Sequence, residues 1–220
     1  MTLVVAIDGP SGSGKSTVAR AVAAELGLPV LDTGAMYRAV THAALEVNAD
    51  LHDADACAAI ARASVITVEE GVTLLDGRDV SSEIRGPLVT GAVSIVSAHP
   101  QVREILVARQ RSWVAHHGGG VVEGRDIGTV VFPDATVKVF LVATEDERAR
   151  RRHREETSAA RAVAVEDVRA ALDRRDAIDS GRAVSPLRAA DDAIVIDTTH
   201  LDVDTVVTDI VARARSTETR

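Results

Sequence analysis

The sequence holds a single cysteine, Cys57, which excludes an intramolecular disulfide framework and the paired-cysteine spacings that hold zinc. Aromatic residues are 2% of the chain, namely Trp113, Tyr37, Phe132 and Phe140. With so few rings the core has to come from Val, Ile, Leu and Ala, which suits helices packed on a buried parallel sheet. Long apolar runs are missing too. The opening run stops at Asp8 with no basic segment before it, and nothing approaches the ~20 apolar residues that cross a bilayer. A net charge of −8 and a pI near 5.4 weigh against general affinity for nucleic acid or anionic membranes. No nucleic-acid partner, no membrane and a reducing, cytoplasmic setting are therefore expected. Lysine is nearly absent: apart from Lys15 and Lys138, all 25 basic residues are arginine. A lysine inside a motif is correspondingly informative.

What is present, in 220 residues, is room for one α/β domain with an elaboration. Short apolar runs without polar alternation mark buried strands at Leu3 to Ile7, Pro29 to Leu31, Val121 to Glu123, Val137 to Val142 and Ala193 to Asp197. Amphipathic stretches between them predict helices over 15–26, 35–46, 55–63, 101–116, 145–156, 165–177 and 203–214. Start signals agree: Thr144 with Glu147 forms a capping-box pattern, Asp202 can cap the last helix, and Pro100 suits a first turn. One stretch, from Val65 to Ile84, breaks the alternation with β-branched runs separated by Glu70-Gly71 and Asp76-Gly77, which are hairpin turn signals. Gly118-Gly119-Gly120 reads as a flexible loop.

Gly9-Pro10-Ser11-Gly12-Ser13-Gly14-Lys15-Ser16 fits GxxxxGK[ST] between a buried strand and a helix, with Thr17 following. The glycines let the backbone wrap so that N–H groups converge on phosphate oxygens, and the helix N-terminus adds its dipole. Lys15 can reach the β- and γ-phosphates and Ser16 can bind Mg²⁺, so ATP or GTP with Mg²⁺ is the expected cofactor pair. A signalling GTPase would carry NKxD, but Gly14 and Val137 precede the two lysines. Motor and AAA-type ATPases need more chain. A small kinase holding both a donor phosphate and an acceptor remains.

Asp32-Thr33-Gly34-Ala35-Met36-Tyr37-Arg38 follows the second strand and opens a helix, where α/β sheets bind ligands. Glu123-Gly124-Arg125-Asp126-Ile127-Gly128-Thr129 follows another buried strand end and brings an Arg and an Asp that both need satisfying. These segments carry a resemblance. IDGPSGSGKS at 7–16, LDTGAMYR at 31–38, EGRDIGTVVFPDA at 123–135 and RDAIDSGRAVSPL at 175–187 are similar, in order and over essentially the whole chain, to the bacterial cytidylate (CMP) kinase family of nucleoside monophosphate kinases.

The resemblance implies a five-stranded parallel P-loop kinase core over 1–38 and 88–220 with flanking helices and a short lid at about 148–164. It also implies an acceptor-binding domain inserted at 39–87, whose antiparallel β element lies at 65–84. It implies transfer of the γ-phosphate of MgATP to CMP, and to dCMP, by a monomer. Position by position, Arg38, Arg125 and Arg182, with Thr33 and Tyr37 beside them, match residues that hold the acceptor phosphate. Ser94, Arg103 and Asp126 match the cytosine readers, and Arg175 and Asp179 those at the sugar hydroxyls. Planar, permanently charged guanidinium forks suit a dianionic phosphate, and a carboxylate accepting from the cytosine amine beside an arginine donor is complementary to that base. In the basic run 148–154, Arg148, Arg151 and Arg152 match lid arginines, and Lys15, Arg125, Arg151, Arg152 and Arg182 make up the expected catalytic set. Glu123 stands where the family commonly has Asp, and no role is assigned to it. Two other readings are a P-loop kinase for another metabolite, of the dephospho-coenzyme A or shikimate type, and a non-catalytic ATP-binding regulatory module.

Overall fold

A computed structural model describes residues 2–69, 71–158 and 164–218. The main sheet contains β1 (Leu3–Asp8), β2 (Val30–Asp32), β6 (Gly119–Gly124), β7 (Val137–Val142) and β8 (Ile194–Asp197) in the order β2-β6-β1-β7-β8. Every pairing is parallel, with Ile7 opposite Glu123 and Asp8 opposite Gly124. The five predicted strands are these five. Alternate β1 side chains serve opposite faces. Val4 and Ala6 join one apolar cluster with α2 (Thr33–Glu46), α3 (Ala54–Ala63) and α5 (Pro100–His117), while Val5 and Ile7 join a second with α1 (Lys15–Leu26) and α8 (Val203–Glu218).

The stretch read as hairpins is a separate antiparallel sheet, β3 (Ile66–Glu69), β4 (Val72–Leu75) and β5 (Arg78–Asp79). Asp76 and Gly77 both have positive φ, 51° and 79°, as a tight hairpin turn between strands requires. Val68 and Leu75 anchor this sheet in the same cluster as α2.

The structure adds or corrects several elements. Helix α2 begins at Thr33 because the Asp32 side chain caps it by accepting from the Ala35 N–H at 3.0 Å. Helix α4 (Pro87–Val96) was not foreseen: Gly91 and its β-branched neighbours are weak helix formers, and the helix gains its place by burying Val89, Val93 and Val96. Gly119 and Gly120 are not a flexible loop but the start of β6, where a Cβ would come within 2.6 Å of the Leu3 carbonyl oxygen and 2.9 Å of the Trp113 ring. They are glycines because the neighbouring backbone and ring lie so close. Helices α6 (Glu145–Ser158) and α7 (Val165–Ser180) pack together, and the rest of the expected lid, 159–163, lies outside the described residues. Among the described residues no helix is long and apolar enough to cross a membrane.

Candidate functional site

β1 lies centrally, and its carboxyl end meets those of β6 and β7, the crevice where open parallel sheets bind ligands. From Asp8 the chain turns through Gly9–Ser16 into α1. Gly9 has φ 147°, and a Cβ there would sit 2.2 Å from the Leu141 carbonyl oxygen, so only glycine lets the loop pass β7. Lys15 is buried and donates to the Pro10 carbonyl at 2.7 Å, and Ser13 Oγ donates to the same oxygen at 3.0 Å. Burial, with Arg125 nearby, pulls the Lys15 ammonium down to about 7 despite the opposing Glu123. Thr17 is exposed.

Ser16 Oγ donates to Glu123 Oε2 at 2.8 Å. Burial, reinforced by Asp32, pushes the Glu123 carboxyl up to about 7. A hydroxyl and a carboxylate whose ionisation is opposed by a second carboxylate are hard oxygen donors of the kind Mg²⁺ takes alongside substrate phosphates, so the residues fit that ion. Asp8, also buried, accepts from the Ile127 and Gly128 N–H groups at 2.8 Å each. Burial raises its carboxyl to about 6 in spite of those bonds.

Beside the loop is a cleft lined by Lys15, Asp32, Thr33, Tyr37, Arg103, Glu123, Arg125, Asp126, Arg175, Asp179 and Arg182, with Gly34, Val93, Ser97 and Gly124 completing it. Most of the expected acceptor residues therefore share one cavity. Asp179, 1% exposed, is its electrostatic centre: Arg125 Nε reaches it at 3.0 Å, Arg175 lies at 3.9 Å, and Arg182 is in close contact. Burial alone would raise the Asp179 carboxyl, but Arg125, Arg182 and Arg175 outweigh it and hold it below the usual range. Arg125 also donates to Ser11 Oγ at 2.8 Å, joining cleft and loop, while Arg182 donates to Ser97 Oγ at 2.7 Å. Arg103 pairs with Asp126 at 2.5 Å, donates to the Ser97 carbonyl at 3.3 Å and lies 5.3 Å from the centre of the Tyr37 ring. Burial pushes the Tyr37 phenol up to about 12. Thr33 donates to the Glu123 carbonyl at 2.7 Å, tying α2 to β6.

Asp179 alone does not balance the three guanidinium groups around it. Burial, then Arg125 and Arg38, hold the Arg175 guanidinium well below its ordinary range, and its buried Nε lacks a hydrogen-bond partner. Arg38 falls to about 10 through burial and the nearby Arg152. Buried cations whose ionisation is further opposed by neighbouring cations mark a place that an anion would stabilise.

Five of the expected acceptor and lid residues do not line the cleft. Arg38 donates to the Ile84 carbonyl at 2.8 Å and Thr90 Oγ1 at 2.9 Å, and Ser94 stands behind the cavity with its Oγ 3.3 Å from Asp179. Arg151 is held on Thr198, at 2.9 Å to Oγ1 and 2.6 Å to the carbonyl, and Arg152 pairs with Glu155 at 3.0 Å and with Glu156. Arg148 is buried against Asp176 and donates to the Ser11 carbonyl at 3.2 Å, so α6 rests on the glycine loop. The sequence reading assigned no part to Asp8, Glu123, Ser97, Asp176 or Thr198. The one local signal for Asp8 and Glu123 was an acidic residue closing an otherwise apolar strand.

A glycine loop between the first strand and first helix of a parallel sheet, facing an arginine-rich cleft at the same sheet edge, defines a small-molecule kinase of the P-loop class. Residues 5–216 match the sequence model of the family described as cytidylate kinase. The chain is 51% identical over 210 residues to a cytidylate kinase of Rhodococcus opacus, covering 94% of this chain and 92% of that protein. It is 49% identical over 207 residues to one of Caldanaerobacter subterraneus, with the same coverage. The chain belongs to the cytidylate kinase family. Among solved structures, a gluconokinase from Sinorhizobium meliloti superposes with a TM-score of 0.51 over 99% of this chain and 95% of that one at 15% identity, a likeness of fold alone.

Proposed function

We propose that the chain transfers the γ-phosphate of ATP to CMP, and to dCMP, giving ADP and the nucleoside diphosphate, with its residues divided among three tasks. Family membership supports CMP and ATP as the substrates. The observation that carries the division of labour is the gathering of Lys15, Arg125, Arg175 and Arg182 in the cleft between the glycine loop and the Arg103–Asp126 pair, where burial holds Lys15, Arg175 and Arg182 below their ordinary ranges.

Residues 9–17 hold the ATP phosphates, and Lys15 follows the transferring group. Ser16 and Glu123 would hold Mg²⁺, which supplies neutralising charge at the β- and γ-phosphate oxygens. Arg125 and Arg182, with Arg38, Thr33 and Tyr37, hold the acceptor phosphate. A CMP phosphate oxygen attacks the γ-phosphorus, a new P–O bond forms, and the bond to the β,γ-bridging oxygen breaks with ADP as leaving group. No general base is needed, because the second pKa of a phosphate ester is about 6. Arg151 and Arg152 on α6 neutralise charge on the group in flight and exclude water.

Asp126 accepts from the cytosine amine while Arg103 donates to N3 and O2, and Arg175 and Asp179 meet the sugar hydroxyls; Ser94 supports Asp179 from behind. In this reading residues 39–87 are the acceptor-side insert on a core of 1–38 and 88–220, and the chain acts as a cytoplasmic monomer without nucleic acid. The Arg103–Asp126 pair and the family match both weigh against a shikimate or dephospho-coenzyme A kinase. ADP release measured with CMP, dCMP, UMP, AMP, GMP, shikimate and dephospho-coenzyme A tests this. The expected result is fastest release with CMP and dCMP, and equal release with every acceptor would overturn it.

A further inference from the structure

The geometry points to Asp8 as the positioning residue that frees the Asp126 side chain to face the acceptor base. The inference rests on the proposed reading of Asp126.

Asp126 occupies the N-cap of a five-residue π-helical turn, Ile127–Val131. An aspartate there ordinarily caps with its own carboxylate, accepting from the N–H groups two or three residues on. Asp126 makes no such bond, and its Oδ2 pairs with Arg103 instead. Its backbone carbonyl still closes the turn, accepting from the Val130 and Val131 N–H groups at 2.9 and 3.2 Å.

The N–H groups of Ile127 and Gly128 open the turn in a buried setting and would be orphaned. Asp8 satisfies both from the neighbouring strand, Oδ1 on Ile127 and Oδ2 on Gly128. It is 4% exposed, and its two oxygens hold backbone donors where a buried carboxylate ordinarily takes a cation. The same residue precedes Gly9, so its carboxylate ties the base-reading loop to the strand that leads into the phosphate loop. Without it, the natural substitute cap is Asp126, which would then turn away from Arg103 and the base.

Asp8→Asn keeps the shape and one acceptor but sets an amide donor against an N–H, orphaning it. The expected result is a fall of at least ~10-fold in the ratio of kcat/KM for CMP over UMP, with the KM for ATP within about twofold of wild type. Ile210→Val, on the far apolar cluster and matched for loss of melting temperature, should leave the ratio unchanged. A folded Asp8→Asn enzyme with an unaltered ratio would overturn the inference. Hydrogen exchange on the wild type tests it whether or not the variant folds: the Ile127 and Gly128 amides should be protected and become more so with CMP, whereas exchange as fast as at the exposed Gly71 amide would overturn it. A wild type with no CMP-dependent ADP formation would instead overturn the functional reading and leave the exchange result to decide on Asp8.

Discussion

In the proposed reading, residues 9–17 make the donor side from one unbroken stretch whose donors are largely backbone, whereas the proposed acceptor cleft gathers Thr33 and Tyr37 from α2, Arg103 from α5, Arg125 and Asp126 after β6, and Arg175 to Arg182 around the end of α7. The two sides also solve the same electrostatic problem differently. Around the loop, Lys15 is half neutralised by its own burial and rests on a carbonyl. In the cleft, a buried carboxylate, Asp179, keeps its charge and holds three guanidinium groups in register, although burial opposes the charge on Arg175 and Arg182. A cradle of peptide dipoles recognises phosphate without regard to what carries it, while fixed guanidinium and carboxylate groups distinguish one acceptor from another. Arg125 links the two through Ser11.

The largest effect should come from the donor side. Lys15→Ala is expected to lower kcat at least ~100-fold, about 2.7 kcal/mol of barrier, with CMP binding retained; pre-steady-state rates and equilibrium CMP titration separate the two. Retention of both rate and affinity would erase the difference between the sides.

Next comes the shared carboxylate. Asp179→Asn leaves Arg125, Arg175 and Arg182 facing one another in a buried space, a change of the kind that costs about 3 kcal/mol. A lower melting temperature that CMP raises by more than in wild type is the expected outcome of a thermal-shift titration. Comparing CMP with its dideoxy analogue sharpens this, since the analogue, which presents no hydroxyls for the missing carboxylate to accept, should raise it by still more.

A smaller effect concerns protons. Burial lowers Lys15 from its ordinary value to about 7, so at pH 8 much of the free enzyme lacks this proton. A bound polyphosphate favours the charged ammonium, and ATP binding without Mg²⁺ at pH 8 should take up a proton, up to about one per site. Titration calorimetry in buffers of differing ionisation enthalpy reads the number and its sign; release would contradict it. For stability the sign is set the same way: between about pH 7 and 10.5 the unfolded chain holds this proton more tightly, so the lysine's contribution improves as pH rises. The smallest effect is expected at Arg78→Ala, whose exposed pair with Glu46 lies on the hairpin side; kcat/KM should stay within about twofold.

The contrast between the sides also explains what could be read from the chain. β1, the loop and α1 are local, and Lys15–Leu26 was legible to the residue. The hairpins were marked by Asp76-Gly77, whose φ values only a few residue types tolerate. Motif resemblance supplied the residues now found around the cleft, but not their wiring. The π-helical turn was invisible because the carboxylate that caps it lies 119 residues away in sequence. Ser16 and Glu123 meet only because β6 inserts beside β1, and α4 is helical through burial in spite of its propensity.

The central claim is that the acceptor side selects its substrate with the Arg103–Asp126 pair. The direct measurement is kcat/KM for CMP and for UMP in wild type and in Asp126→Asn, the amide being able to rotate and offer a donor to uracil O4. The account predicts a strong CMP preference in wild type that shrinks at least ~10-fold in the variant, chiefly through slower CMP turnover. An unchanged ratio in a folded, active variant would contradict it and move the base reader elsewhere in the cleft.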